Sequence, residues 1–309
     1  MLFACGSNGR GQLGVGHCDD LGEFTAVLGV DGPVLEVAGG GNHTLVLLPD
    51  GVAMASGSND EMQLGVVGDG TSKFTKVSHP DGLRWTHVAA GWAFSVFIDE
   101  HAQVWTCGSG KKGELATEIE NHGLERVYMF KAAVVAVKTA MAHTLVLLET
   151  GQVYGWGASR KGQLGIHQAK VVEPVLVGSH ARQISVGRDF SVVLPMSGKP
   201  IILGNFRGHI PETDSNLSIV SGWSSIAFVG ERVVVTGNNS HGQQDAPLMV
   251  HPDQVAAGSE HYLALKDNAI VSWGWGEHGN CPEPTSASDA TSIFAGCATS
   301  YYVSDTSYQ

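Results

Sequence analysis

The segment Gly9–Gly14 reads Gly-Arg-Gly-Gln-Leu-Gly and matches GxGxxG, the glycine pattern with which dinucleotide-binding folds approach a pyrophosphate. That chemistry needs a strand before the glycines and a helix after them, within a βαβ unit. The segment recurs at Gln63–Gly65 and Gln163–Gly165, and neither copy has glycines at both of the earlier positions. We therefore interpret it as a turn between strands whose Leu is buried. Gly108–Lys112 is likewise no phosphate-binding loop, because no Gly-Lys-Ser/Thr follows at the required spacing.

Fourteen His residues raise the possibility of a metal site, and His43, His143 and His261 share one position of an internal repeat. Other copies carry at that position Phe94, Phe190, Ser225 and Thr299. A position shared with Phe is one that packs in the core or hydrogen-bonds between repeats. Metal binding would also require side chains from distant repeats to converge. We therefore expect these His residues to be structural.

The remaining chemical signatures are also weak. The five Cys residues form no CxxC pair, which predicts reduced, mostly buried thiols: Cys5, Cys18, Cys107, Cys281 and Cys297. The chain contains no GxSxG nucleophile elbow and no HExxH motif. We expect no catalytic residue, no cofactor and no bound metal, and so a protein that is not an enzyme.

Composition narrows the classes of protein and partner. The 309 residues include 41 Gly, 43% are hydrophobic, and the net charge is −12 with only 18 Lys and Arg. This much Gly with a sizeable core is typical of an all-β fold rich in turns. Few basic residues argue against direct binding of nucleic acid or of an anionic membrane. Met1 leads directly into a strand-like segment without a signal peptide, so we expect a cytoplasmic and nuclear protein.

An internal repeat predicts the fold. A glycine followed by a QLG-like turn recurs seven times, at Gly6, Gly57, Gly108, Gly157, Gly204, Gly237 and Gly274. An apolar strand, a turn such as Asp50-Gly51 and another strand precede all but the first copy. Several short strands per repeat are typical of a propeller blade. We predict a single domain over residues 1–309, a seven-bladed β-propeller closed by pairing of the N- and C-terminal strands. The eroded copies leave the blade boundaries after about residue 205 open.

The repeat resembles that of the regulator-of-chromosome-condensation propellers, which combine a GxNxxGQLG turn with a GxxH[ST] loop. The resemblance rests on GSNGRGQLG followed by AGGGNHTLVLLPDG, covers essentially the whole chain and is weakest in the fifth to seventh copies. The family includes a guanine-nucleotide exchange factor for a small nuclear GTPase and many unrelated scaffolds. The exchange-factor branch has a basic N-terminal tail, whereas this chain starts at its first strand. Exchange activity remains the alternative function.

The opening FACGSNGRGQLGVGHCDD is similar to the short, tail-less branch of fungal alpha-tubulin suppressors. That resemblance implies a bare propeller that forms a heterodimer with a small zinc-binding electron-carrier protein. The pair supports wobble-uridine tRNA modification by the Elongator complex, which is a further expected partner, and diphthamide biosynthesis.

Large side chains in loops are the candidates for partner contacts. Trp92 and Trp223 follow the Gly of the GxxH-type loop, and Arg188 holds the matching place in its copy. Because propeller loops cluster at two faces, we expect these three residues at one level of one face, where Trp and Arg are typical interface anchors. An alternative, in which the Trp rings cap the core between blades, stays open.

A second set of candidates lies in the diverged loops after the last strands of their repeats, where loss of the motif leaves room for a specialised contact. We expect this set on another face or at the rim. Its members are Phe206, Arg207, His209, Trp275 and His278.

Overall fold

The computed structural model describes residues 1–212, 217–287 and 289–305. The described residues form 26 strands in seven antiparallel sheets, and no helix among them is long and apolar enough to cross a membrane. Each sheet is a blade, and this confirms the predicted seven-bladed β-propeller.

The first strands of the chain belong to the blade that closes the ring, and the next three blades follow in order. The closing strands are β1 (Leu2–Gly6) and β2 (Leu21–Ala26). Blade 1 consists of β3 (Glu36–Gly39), β4 (His43–Leu47), β5 (Ala53–Gly57) and β6 (Thr71–Val77). Blade 2 consists of β7 (Trp85–Ala90), β8 (Phe94–Asp99), β9 (Gln103–Ser109) and β10 (Asn121–Met129). Blade 3 consists of β11 (Val134–Thr139), β12 (His143–Leu148), β13 (Val153–Ser159) and β14 (Gln168–Gly178).

The later blades are less regular, and the described part of the chain gives two of them three strands each. Blade 4 consists of β15 (Ala181–Val186), β16 (Phe190–Pro195) and β17 (Ile201–Gly204). Blade 5 consists of β18 (Ser218–Ser221), β19 (Ser225–Val229) and β20 (Val233–Gly237). Blade 6 consists of β21 (Gln254–Ala257), β22 (His261–Lys266), β23 (Ala269–Gly274) and β24 (Thr285–Ser286). Blade 7 adds β25 (Ala290–Ala295) and β26 (Thr299–Ser304) to β1 and β2, in the order β2-β1-β26-β25.

Blade 7 joins the two ends of the chain, as the sequence predicts. Strand β1 pairs with β26 in an antiparallel register that runs from Leu2 opposite Val303 to Gly6 opposite Thr299. The rings of Phe3 and Tyr302 stack across this pair with their centroids 4.7 Å apart. Closure turns a row of sheets into a ring whose first and last blades both have neighbours.

The hydrophobic core lies between blades. Val96 and Ile98 of blade 2 pack in one cluster with Val146 and Leu148 of blade 3, and all four are at most 4% exposed. The second strands are buried on both faces, which explains their continuous apolar runs. The Leu of the QLG turn joins these cores, as predicted, at Leu13, Leu64, Leu115 and Leu164.

The glycine that marks each repeat is required by backbone geometry. All seven have φ between 94° and 115°, a range that residues with a side chain rarely adopt. A Cβ on Gly57 would lie 2.4 Å from the Asn42 carbonyl oxygen, and one on Gly108 would lie 2.4 Å from that of Ala93. The periodic glycine therefore brings the end of the third strand against the loop between the first and second strands.

Candidate protein-binding surface

The loops that carry the candidate residues all open on one face, which we call the upper face. The inner loops connect the first and second strands of each blade, and the outer turns follow the third strands. The residue after each repeat glycine donates its backbone N–H to the inner loop of its own blade, as Ser58 does to Asn42 and Ser109 to Ala93, both at 2.8 Å. Inner loops and outer turns therefore share the upper face.

The inner loops form a ring around the central channel, and backbone hydrogen bonds connect five of the seven neighbouring pairs of loops. In each of these pairs a backbone N–H donates to a carbonyl of the next loop, which fixes the relative height of the two loops. These bonds are Gly41 to Trp92 (3.1 Å), Trp92 to Met141 (3.3 Å), Arg188 to Trp223 (2.9 Å), Trp223 to Ser259 (2.6 Å) and Ser259 to Cys297 (3.1 Å).

Two tryptophans meet above this ring. Trp92 comes from blade 2 and Trp223 from blade 5, yet their ring centroids are 5.8 Å apart with a tilt of 52°. Trp92 remains 44% exposed, and Arg188 is exposed beside Trp223. Blades 2 and 5 are not neighbours, so this contact bridges the mouth of the channel rather than capping a core between adjacent blades. The structure thus brings together the three residues that the sequence placed on one face.

The channel below the tryptophans is lined by both apolar and polar groups. It encloses about 340 Å³ and is lined by the first strands of the blades. Glu36 of blade 1 accepts the Val88 backbone N–H of blade 2 at 3.3 Å and lies 3.9 Å from the Lys138 ammonium of blade 3. These contacts tie three consecutive blades together from the inside.

The second candidate set also lies on the upper face, farther from the channel. Its placement agrees with the predicted rim and not with another face. Arg207 and His209 of blade 4 are exposed. Phe206 packs on Phe190 with a centroid distance of 4.9 Å and fills part of the core between blades 4 and 5. A packing role is therefore sufficient to account for Phe206.

Trp275 and His278 belong to a separate cluster on blade 6, with blade 5 between them and Arg207. The Trp275 ring lies 5.3 Å from the His278 ring and 6.3 Å from that of His241. The Trp275 indole donates to the Glu277 carboxylate at 3.2 Å, and His278 Nδ1 lies 2.9 Å from the Asp20 carboxylate in blade 7. The structure does not bring this pair together with the other candidates.

The three repeated His residues are structural, as predicted, and bridge neighbouring blades. His43 Nε2 lies 2.9 Å from Ser95 Oγ, whose own proton goes to the Gln63 carbonyl at 2.6 Å. His43 must therefore donate from Nε2 and carry an unprotonated Nδ1. His143 makes the same contact to a Ser of the next blade at 2.9 Å, and His261 does so at 3.0 Å. Complete burial lowers the pKa of each of these three His residues to about 4.

A buried acid–base pair in blade 2 was not anticipated from the sequence. His79 Nε2 lies 3.2 Å from Asp99 Oδ2, and the Trp105 indole donates to the same oxygen at 2.9 Å. Both side chains of the pair are at most 2% exposed, so a substrate has no access to them. Neither residue lies at a position that recurs in the other repeats, and twenty positions separate the two in sequence. No sequence pattern therefore indicates that they form a pair. Across residues 1–212, 217–287 and 289–305, no three His, Cys, Asp or Glu side chains are grouped to hold a metal ion.

Comparison with known proteins identifies the family. The Regulator of chromosome condensation (RCC1) repeat matches residues 1–47 and 150–194. An RCC1 repeat-containing protein of Schizosaccharomyces pombe is 30% identical over 91% of this chain and 89% of its own. The Bos taurus secretion-regulating guanine nucleotide exchange factor is 27% identical over 93% of this chain and 76% of its own. The crystal structure of human WBSCR16, at 18% identity, covers 98% of both chains with a TM-score of 0.83 and supports the fold. The matched repeat, the seven-bladed ring and the Schizosaccharomyces pombe relative that aligns over 91% of the chain all agree: this chain belongs to the RCC1 repeat family.

Proposed function

We propose that this propeller is a binding scaffold that presents its upper face to a partner protein. The observation that carries the proposal is the contact of the exposed Trp92 with the half-buried Trp223, with Arg188 beside it, held over the channel mouth by backbone hydrogen bonds between inner loops. Trp and Arg on a preorganised surface are the residue types that dominate binding energy in protein interfaces. The rigid ring reduces the ordering cost of binding.

The proposed partner is a small zinc-binding electron-carrier protein, bound as a heterodimer. The scaffold positions or stabilises this partner for Elongator-dependent wobble-uridine modification of tRNA and for diphthamide biosynthesis, in cytoplasm and nucleus. Support for the partner's identity is the similarity of residues 3–20 to the tail-less fungal branch described above.

A calorimetric titration of the purified chain with the purified electron carrier tests this function. Saturable one-to-one binding is expected, weakened at least tenfold by Trp92→Ala and by Trp223→Ala. Met129→Ala, which truncates a residue 60% exposed on an outer strand, is the control and leaves affinity unchanged. Absence of binding by the wild-type chain refutes the partner, and binding insensitive to both Trp substitutions refutes the surface.

Guanine-nucleotide exchange is the second candidate, because the Bos taurus relative carries that activity in its name and aligns over 93% of this chain. Release of a fluorescent GDP analogue from a purified small nuclear GTPase distinguishes the two functions. A scaffold leaves the release rate at its spontaneous value. Acceleration by catalytic amounts of this chain favours exchange activity.

A further inference from the structure

The outer turns carry an uneven distribution of charge. In each turn, we call the two residues directly before the repeat position of Gly11 its tip pair. From blade 1 to blade 7 the tip pairs are Asp60-Glu61, Lys111-Lys112, Arg160-Lys161, Phe206-Arg207, Ser240-His241, Glu277-His278 and Gly9-Arg10. Blades 2, 3 and 4 therefore contribute five cations and no acid, and blade 1 contributes two acids. We call Lys111, Lys112, Arg160, Lys161 and Arg207 the basic arc.

The tip pairs of blades 7 and 1 contact each other through opposite charges, since Arg10 of blade 7 is 3.5 Å from Asp60 of blade 1. Glu61 of the same tip pair accepts a hydrogen bond from the Asn121 side chain of blade 2 at 2.7 Å. In blades 2 to 4 the corresponding turn positions carry cations and no acid, so neighbouring tip pairs there hold like charges. Like charges on neighbouring turns repel each other in the free protein.

The basic arc is exposed and open to an external anion. All five side chains are exposed, and none forms an ion pair with another described residue. Of the nearby acids, Glu114 is buried and accepts the Lys112 backbone N–H, and Glu118 is paired with Lys170.

The arc departs from the charge of the rest of the chain. Residues 108–210 hold twelve of the 18 Lys and Arg but only seven of the 30 Asp and Glu, a net charge of +5, against −17 elsewhere. Blades 2 and 4, which carry parts of the arc, also carry Trp92 and Arg188 on the same upper face. On the other side of the upper face the exposed acids include Asp20, Asp60 and Glu277.

We propose that the basic arc binds an acidic surface segment of a protein partner, next to the apolar contact at the Trp92–Trp223 pair. This inference rests on the proposed scaffold function and specifies the chemistry of the partner. The surface of a protein partner presents acidic and apolar groups side by side. Its acidic patch is also of limited size, so it does not have to extend over the acids of blades 6, 7 and 1. A nucleic acid is a continuous polyanion, which those acids repel.

Charge reversal tests the arc without the proposed partner. The probes are a fluorescein-labelled decaglutamate peptide and a labelled single-stranded RNA of 20 nucleotides, followed by fluorescence anisotropy at low salt. The variant K111E/K112E/R160E/K161E is compared with K73E/K76E/K131E/K199E, which makes the same change of net charge at exposed lysines outside the arc. The wild-type chain and the control are expected to bind the peptide within threefold of each other, and the arc variant at least tenfold more weakly.

Three results overturn the proposal: no peptide binding by the wild-type chain, equal loss in both variants, or tighter binding of the RNA than of the peptide with loss in the arc variant. Unchanged thermal melting of both variants shows that they are folded. Titration with the zinc-binding electron carrier is scored separately. Peptide binding that persists while the carrier fails to bind refutes the partner's identity and leaves the acidic-partner assignment standing.

Discussion

At the scale of single residues, the repeated His positions show how burial turns a titratable group into a pH-dependent element of stability. His43, His143 and His261 are neutral in the fold because burial lowers their pKa from 6.5 to about 4. Their stabilisation is complete above pH 6.5, where folded and unfolded chains both hold neutral imidazoles. As pH falls from 6.5 towards 4, the imidazoles of the unfolded chain become protonated, whereas those of the folded chain stay neutral. Stability therefore decreases over that window.

Replacing one of these residues is expected to reduce the acid sensitivity of the fold. His143→Phe installs the residue that blades 2 and 4 already carry at this position. The variant loses on the order of 1 kcal/mol at pH 7, because the hydrogen bond to Ser191 is gone. Between pH 6.5 and 4 the variant is expected to lose on the order of 3 kcal/mol less than the wild type. Urea unfolding at pH 7, 5.5 and 4.5 measures both effects.

The control for this prediction is His101→Gln, a change at an exposed His on a turn. Its unfolding free energy is expected to follow the wild-type pH dependence. A His143→Phe variant with the wild-type dependence on pH would show that acid sensitivity comes from other groups.

At the scale of elements, the turn of the β8–β9 hairpin in blade 2 is held by one buried carboxylate. Asp99 accepts the backbone N–H groups of His101 at 2.9 Å and Gln103 at 3.0 Å, in addition to the Trp105 indole and the His79 ring. Four donors converge on a side chain that is 0% exposed. Removing it leaves buried polar groups without an acceptor.

Asp99→Ala is accordingly expected to destabilise the protein by about 3–5 kcal/mol, the cost of breaking a buried charged network. Glu100→Ala, one residue further along the same turn, removes a surface contact to the Arg84 backbone and is expected to cost less than about 1 kcal/mol. Guanidinium unfolding of the two variants at pH 7 provides the comparison. Equal midpoints would contradict the role assigned to Asp99.

The elements also show which parts of the fold were accessible from sequence. Second strands such as β12 are buried along their whole length, so their sequences are continuous apolar runs and can be identified as strands from the sequence. Outermost strands such as β6 are half polar, with a weak alternation, and mark a fourth strand poorly. Among the described residues, blades 4 and 5 have no fourth strand, and the sequence did not indicate this difference because their third strands β17 and β20 look like those of complete blades.

The candidate surface was predicted in part for a similar reason. The common repeat position of Trp92, Arg188 and Trp223 was sufficient to place them on one face. Contact between the two tryptophans across the channel depends on the diameter of the ring and on side-chain direction, which no local pattern records. The shared face of inner loops and outer turns follows from strand order, which became apparent only with the registers of complete blades.

At the scale of the whole molecule, the seven blades depend on a junction that is not covalent. Strand β1 lies between β26 and β2, so one five-residue segment links the C-terminal half of blade 7 to its outermost strand. Leu2, Ala4 and Cys5 of this segment are fully buried. Every other blade is built from consecutive strands, and the ring is therefore most vulnerable at blade 7.

Deleting residues 1–6 is expected to open the ring and to lower the melting temperature by at least about 10 °C, since several buried side chains and two strand pairings are lost together. A synthetic peptide of residues 1–8, added in excess, is expected to restore most of the lost melting temperature because it fills the gap between β26 and β2. The restored part is expected to grow with peptide concentration.

A peptide with Leu2→Asp and Ala4→Asp is the control, because its two buried positions then carry charges and it cannot occupy the site. Differential scanning calorimetry follows all three samples. Equal melting of the shortened and complete chains, or equal rescue by both peptides, would mean that pairing of the chain ends does not hold the propeller closed.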